Sequence, residues 1–212
     1  MTMRIVCISD THEQERSVVI PACDLLIHAG DITYKGDLHK LAAFDDWCET
    51  LALPKERIVV CAGNHDISLE KTPEVAAHAF LNCTYVRDAT VIVDRVKIYM
   101  SPWQPRFNDW AFNLDRGSPE LAAKWDAIPN DSDIVVTHGP PYGFGDRTVD
   151  GRQVGCELLL QRLGQARPRF HVCGHVHEGY GLYETDFGTT VVNASVCNVR
   201  YQPVNPAITL EW

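Results

Sequence analysis

Five short stretches of this chain end in residue types that hold metal ions: Asp10-Thr11-His12, Gly30-Asp31, Gly63-Asn64-His65-Asp66, His138-Gly139 and Gly174-His175-Val176-His177. Asp supplies a hard anionic oxygen, Asn a neutral carbonyl oxygen and His a borderline nitrogen. With no thiolate among them, the set suits manganese, iron, zinc or nickel better than a structural zinc. Asp10, His12, Asp31, Asn64, His138, His175 and His177 make seven candidate ligands. That is more than one tetrahedral ion takes, and it fits two ions sharing a carboxylate.

Each piece also has a bland reading. Asp10 can close a turn on its own backbone. Gly30-Asp31 is a common turn, Asn64 suits a left-handed position, and His138, before Gly-Pro-Pro, could be a satisfied core histidine. The combination favours metal, because all five stretches share one context, an apolar run closed by a glycine or polar turn. Asp10 and His12 are two apart, as are His175 and His177, and in extended chain such pairs point to one side. His171 reads as a packed strand residue, and His28, His39 and His78 as structural or surface.

The apolar runs must position these groups. RIVCIS (4–9), LLIHAG (25–30), RIVVCAG (57–63), DIVVTHG (133–139) and RFHVCGH (169–175) are short and rich in β-branched residues, as strands buried on both faces are. Helical spacing covers 37–53, Ser118-Pro119-Glu120 opens a helix over 118–127, and a third spans 153–163 with Gly164 as its stop. Residues 84–100 read as a hairpin turning at Asp94-Arg95, and the segment from Gly181 onward reads as antiparallel strands. The expectation is an α/β fold, two packed mixed β-sheets flanked by helices, in one domain over residues 1–212. Functional groups then gather in loops at the carboxyl ends of strands.

Composition narrows the partners. The formal net charge of -9 argues against long nucleic acid, whose binding rests on basic patches. No window reaches 18 apolar residues, so no membrane span is expected. The opening MTMRIVCISD runs straight into a strand without a signal-peptide core. None of the eight cysteines forms a C-x-x-C pair. A reduced, cytoplasmic protein is expected.

In this order and at these separations, D-x-H, G-D, G-N-H-D, H-G and G-H-x-H resemble the calcineurin-like metallophosphoesterase superfamily. SPWQPRFNDWAFNL (101–114), HGPPYGF (138–144), HEGYG (177–181) and NASVCNVRYQPVNPA (193–207) are similar to its small metallophosphoesterase-domain proteins related to brain-expressed animal members. The resemblance implies an αββα sandwich and two divalent ions, manganese first, with iron, zinc, nickel or cobalt as alternatives. Asp10, His12 and His177 would hold one ion, Asn64, His138 and His175 the other, and Asp31 would bridge them. His65 would face the scissile phosphate without binding metal, and Asp66 would orient it.

The implied activity is hydrolysis of small phosphodiesters, cyclic nucleotides or aryl diesters, by in-line attack of a metal-bridging hydroxide. The substrate is a small phosphate ester, with a nucleotide as one candidate. Asn64 and His65 would contact it. Trp103, Phe107, Trp110 and Phe112, beside Asn108 and Asn113, have two readings: a surface for a base, with Asn108, Trp110 and Asn113 in contact, or simple helix-on-sheet packing. From another class, a nucleotide-binding regulatory protein with slow turnover stands as the alternative, and a single-metal hydrolase as a third.

Overall fold

The computed structural model describes residues 2–212, apart from the side chain of Ala77; His78, read above as structural or surface, is exposed. In the first sheet β1 (Arg4–Ile8), β2 (Leu25–His28), β3 (Ile58–Val60) and β4 (Thr84–Tyr85) run parallel in that order. Helix α1 (Leu38–Glu49) lies between β2 and β3, and the short helices α2 (Ile67–Lys71) and α3 (Ala76–Ala79) between β3 and β4. The hairpin of β5 (Ala89–Val93) and β6 (Val96–Ser101) turns at Asp94 and Arg95, both at positive φ, as a two-residue turn requires.

A two-rung ladder of β7 (Gln104–Pro105) and β8 (Asn113–Leu114) then clamps the intervening loop. After α4 (Pro119–Asp126), β9 (Ile134–Thr137), α5 (Glu157–Ala166) and β10 (Phe170–Cys173) complete the parallel heart of the second sheet. The last strands depart from the antiparallel expectation. β11 (Gly181–Glu184) and β12 (Thr190–Asn193) pair antiparallel, but β12 joins β10 in parallel. β13 (Ile208–Glu211) crosses to the first sheet to pair antiparallel with β1.

Period-two alternation in buried strands builds three layers of core. Ile5, Cys7, Leu25, Ile27 and Val59 face the second sheet and meet Ile98, Met100, Ile134, Val136 and Val172. Val6, Ile8, Leu26, Ile58 and Val60 face outward onto Leu41, Phe44 and Trp47 of α1. On the far side Tyr99 and Val135 pack against Leu121 and Trp125 of α4 and Leu159 and Leu163 of α5. Burying each such aliphatic is worth roughly 1.5–3 kcal/mol. The candidate ligands stand in the turns beyond the strand ends. Asp10, Asp31, Asn64, His138 and His175 all lie one to four residues past β1, β2, β3, β9 and β10.

Two helix boundaries differ from expectation. α5 begins at Glu157, because residues 153–156 are held by an isolated Pro141–Cys156 bridge and by Gly155 N donating to Asp146. It runs through Gly164 and ends where Arg167 turns left-handed and donates its N–H to Leu163 O. α1 stops at Glu49, its last turn closed by the Thr50 hydroxyl donating to Trp47 O. α4 has the expected Ser118 cap, accepting from Leu121 N. Among the described residues no helix is long and apolar enough to cross a membrane.

Candidate metal centre

The two sheets are stitched where the ligands gather. Ser9 N donates to Ala194 O at 2.9 Å and Val196 N to Ser9 O at 3.0 Å, bridging β1 to the chain leaving β12. Asp10 N then donates to Gly30 O, His12 N to Asp31 O, and His65 N to Asp31 Oδ1 at 2.8 Å. The paired spacing works differently from the extended chain expected. Asp10, His12, Asp31 and His175 have φ between 43° and 67°, in the left-handed region. Asn64, expected there, does not. Each non-glycine residue in that region costs about 1–2 kcal/mol, held here by the interloop hydrogen bonds.

The imidazoles are set by backbone carbonyls. Nδ1 of His12 faces Thr33 O at 3.2 Å, His65 faces Tyr34 O at 2.8 Å, His138 faces Ala29 O at 3.0 Å and His177 faces Asn198 O at 2.9 Å. With Nδ1–H donated outward, every Nε2 points inward as an acceptor, the arrangement metal-ligating histidines use. Asp31 Oδ2 lies 3.4 Å from Nε2 of His138, 3.8 Å from that of His12 and 3.9 Å from that of His65. Asp10 Oδ1 is 3.4 Å from His177 Nε2, which is 3.4 Å from His12 Nε2.

This donor set fits cations. His12 Nε2 facing His177 Nε2, and His138 Nε2 facing Asn64 Oδ1 at 3.0 Å, are acceptor against acceptor unless a proton or metal ion lies between or beside them. Asn64 Nδ2 is buried without a partner. Three overlapping groups bring one donor atom per residue within 4.8 Å of one another: Asp10, His12 and His177; His12, Asp31 and His65; Asp10, Asp31 and His138. His65, expected off the metal, thus stands in one group. His175 is in none of them; its ring lies 5.2 Å from that of His138.

Charge in the cluster follows the same pairing. Burial alone would raise both carboxyls. The hydrogen bond and charge of His177 at Asp10, and the charge of His138 at Asp31, hold them well below the usual carboxylate range. Burial opposes charge on His138 and His177, yet Asp31 lifts the first to about 9 and Asp10 the second to about 9. Burial lowers His12, and holds His175 down at about 3. Without metal, protons on His138 and His177 stand in for cations.

Residues around the cluster have specific supporting contacts. Ser195, which ligand-type reading did not single out, donates its hydroxyl to Asp10 Oδ2 at 2.6 Å. Gly174 has no positive φ; it is needed because a Cβ there would run into Asp10 Oδ2 and Ser9 Oγ. Asp66 makes no direct hydrogen bond to His65, whose Nδ1 faces Tyr34 O. Its oxygens accept from Gly63 N, Ile32 N, Thr33 N and the Thr33 hydroxyl, tying the loops after β2 and β3 together. Burial, then repulsion from Asp31, raises its carboxyl to about 6 despite those donors.

The aromatic stretch divides between the two readings. Phe112 is buried and Trp103 packs against the core, whereas Trp110 stacks on His65, ring centroids 4.1 Å apart. Phe107 meets His175 edge-on at 5.1 Å. Asn113 presents no free amide: its Oδ1 accepts from Phe107 N, and its Nδ2 donates to the carbonyls of Phe107, Asn108 and Trp110. Asn108 is exposed at the left-handed tip of that loop. His28 and His171 are buried and bonded to Thr11 and Thr137, and His39 is exposed, as expected. Above the cluster a cavity of about 170 Å³ is lined by Asn64, His65, Phe107, His175 and, from the C-terminal loop, Val199 and Tyr201.

A two-sheet sandwich with carboxylates and imidazoles converging at its strand ends defines a class, the metal-dependent phosphoester hydrolases. A family model for calcineurin-like phosphoesterases matches residues 3–179, and the chain belongs to that family. It is 42% identical to metallophosphoesterase domain-containing protein 1 of Homo sapiens over 98% of this chain and 70% of that protein. It is 35% identical to a UPF0046 protein of Caenorhabditis elegans, over 92% of this chain and 70% of that one. The fold resembles the crystal structure of phosphopantetheinyl hydrolase from Mycobacterium tuberculosis, with a TM-score of 0.63, 13% identity, and coverage of 97% and 95% of the two chains. The family binds divalent metals, and the Asp and His groups described above are suited to hold them.

Proposed function

We propose that this chain, acting as one domain, hydrolyses small phosphodiesters, cyclic nucleotides or aryl diesters, with two divalent ions. Manganese is the first choice, then iron, zinc, nickel or cobalt. One observation carries the reading: Asp31 Oδ2 stands 3.4–3.9 Å from the inward Nε2 atoms of His138, His12 and His65, each fixed by a carbonyl behind it. Asp10, His12 and His177 would hold one ion and Asn64, His138 and His175 the other, with Asp31 shared. When bound, the ions supply Lewis acidity toward a water and the phosphate oxygens.

The protein's own groups do the rest. His65 lines the cavity with Nδ1 on Tyr34 O, so as an imidazolium it donates Nε2–H to the phosphate or the leaving oxygen. Trp110 stacked on its face restrains the ring. A diester rather than a monoester is supported by room on two sides. The cavity is walled by Val199 and Tyr201, and at Phe107 and His175 it adjoins a second compartment. The unpaired cysteines support a reducing, cytoplasmic setting.

The test is a panel of nitrophenyl mono- and diesters with 3′,5′- and 2′,3′-cyclic nucleotides, run on stripped and metal-reloaded protein. Metal-dependent cleavage of diesters over monoesters is expected. Asp31→Asn removes the shared charge and should lower turnover by about a thousandfold or more with the fold intact. Near-wild-type activity in that variant would refute the two-metal assignment.

A further inference from the structure

We propose that the compartment beside the metal centre is a subsite for a second anionic group on the substrate, a carboxylate or a phosphate carried by the arm of the ester that leaves past Phe107 and His175. This rests on the phosphoesterase reading and adds a charge requirement to it. The compartment is about 360 Å³ and shares Phe107, His175 and Glu178 with the cavity over the cluster. Arg106, Arg116 and Arg152 line it. Each pairs with one carboxylate, Asp115, Glu157 and Asp150 respectively, and the guanidinium nitrogens outside those pairs are what an anion would meet.

Two of the three have hydrogen-bonding capacity to offer. Arg106 uses only Nε, toward Asp115 at 2.7 Å, and Arg152 only Nε, toward Asp150 at 2.7 Å. Among the described residues, the Nη groups of both lack partners. Their ion pairs are exposed, and exposed pairs contribute little, so an arriving anion meets a weak competitor. Free Nη pairs suit bidentate binding of carboxylate or phosphate. Arg116 instead is committed to Glu157, Gly155 O and Val154 O, and braces the wall. Glu178, the acid in the lining, is held through Oε1 by Val149 N.

The walls are two loops with their own ties. Asn113 fixes the loop carrying Arg106 and Phe107. The Arg147–Gln153 bridge closes the loop carrying Arg152. The guanidiniums are therefore mounted on anchored loops, which favours specificity for an anion over indiscriminate charge attraction.

Three p-nitrophenyl alkyl phosphodiesters, alike except that the alkyl arm ends in methyl, carboxylate or phosphate, test the subsite. Wild type should prefer the charged ends through KM, by roughly tenfold per charged contact, and the preference should shrink as salt rises. The relative size of the carboxylate and phosphate effects identifies the anion. The double variant R106Q/R152Q should lose the preference while cleaving the methyl-ended ester as before. The same arms on dialkyl phosphinates, in which carbon replaces both ester oxygens, bound to metal-loaded protein and measured by calorimetry, read the subsite even if no ester is cleaved. Failure of all three esters to react would overturn the diesterase reading. Equal binding of charged and neutral arms, or a preference that survives in the double variant, would overturn the subsite.

Discussion

At the scale of single residues, the site works because each polar atom has a fixed role. The outward Nδ1–H of His12, His65, His138 and His177 goes to a backbone carbonyl. The inward nitrogens are thus fixed by loop backbone rather than by other side chains. His65 shows what this permits. It lies in reach of Asp31, yet its ring faces the cavity and rests on Trp110. His65→Ala should lower the rate by roughly 10²–10⁴-fold, the range for a lost general acid, and leave metal content near that of wild type. The loss should shrink for nitrophenolate, which departs without help. Metal lost in step with activity would make His65 a ligand, as its place in one of the three donor groups allows.

At the scale of elements, two features invite measurement. Gly164 lies inside α5, and a Cβ there would meet nothing closer than Phe187 at 3.7 Å. Gly164→Ala should therefore stabilise by about 0.5–1 kcal/mol, since glycine costs that much in a helix interior. A lowered denaturation midpoint would show that α5 needs the gap. His171, inside β10, is held by burial at about 3, against an ordinary value of 6.5. Between those values the unfolded chain binds the proton and the folded chain does not. Stability is therefore lost as pH falls from about 6.5 toward 3, by about 1.4 kcal/mol per unit. In His171→Leu that contribution should vanish, and Thr137 keeps its bond to Gly139 O. Urea denaturation of metal-stripped wild type and variant between pH 7 and 5 gives the difference. Identical slopes would mean that His171 takes up its proton in the folded state.

At the scale of the whole molecule, the centre joins the two sheets. Asp10, His12, Asp31 and Asn64 come from loops of the first sheet, and His138, His175 and His177 from loops of the second. Ions held by both sets bind the folded state alone, so they stabilise by mass action. At free metal one hundred times Kd the gain is about 2.7 kcal/mol. For a chain of this size, chelation should then lower the melting temperature by roughly 5–10 °C, and added manganese should restore it. A melting temperature indifferent to chelator would argue that the cluster does not hold metal across the sheets.

The sequence by itself determined which residues could act and where they had to sit. Apolar strand-like runs closed by glycine or polar turns placed Asp10, Asp31, Asn64, His138 and His175 just past strand ends, and the five motifs in order identified the family. It did not determine their backbone. Left-handed Asp10, His12, Asp31 and His175 replace the extended pairs that spacing suggested, because the turns must bring donor atoms from different strands together. Nor could it reveal what acts through backbone atoms or distant chain. The carbonyls of Thr33, Tyr34, Ala29 and Asn198 look like any others in a sequence. Asp66 beside His65 suggested a partner that the folded loops assign to Thr33 and Gly63 instead. The Ser195 hydroxyl on Asp10, and Arg106 and Arg152 in one compartment, are juxtapositions across long stretches of chain. Such contacts depend on how two sheets pack, and local residue pattern carries no information about that distance.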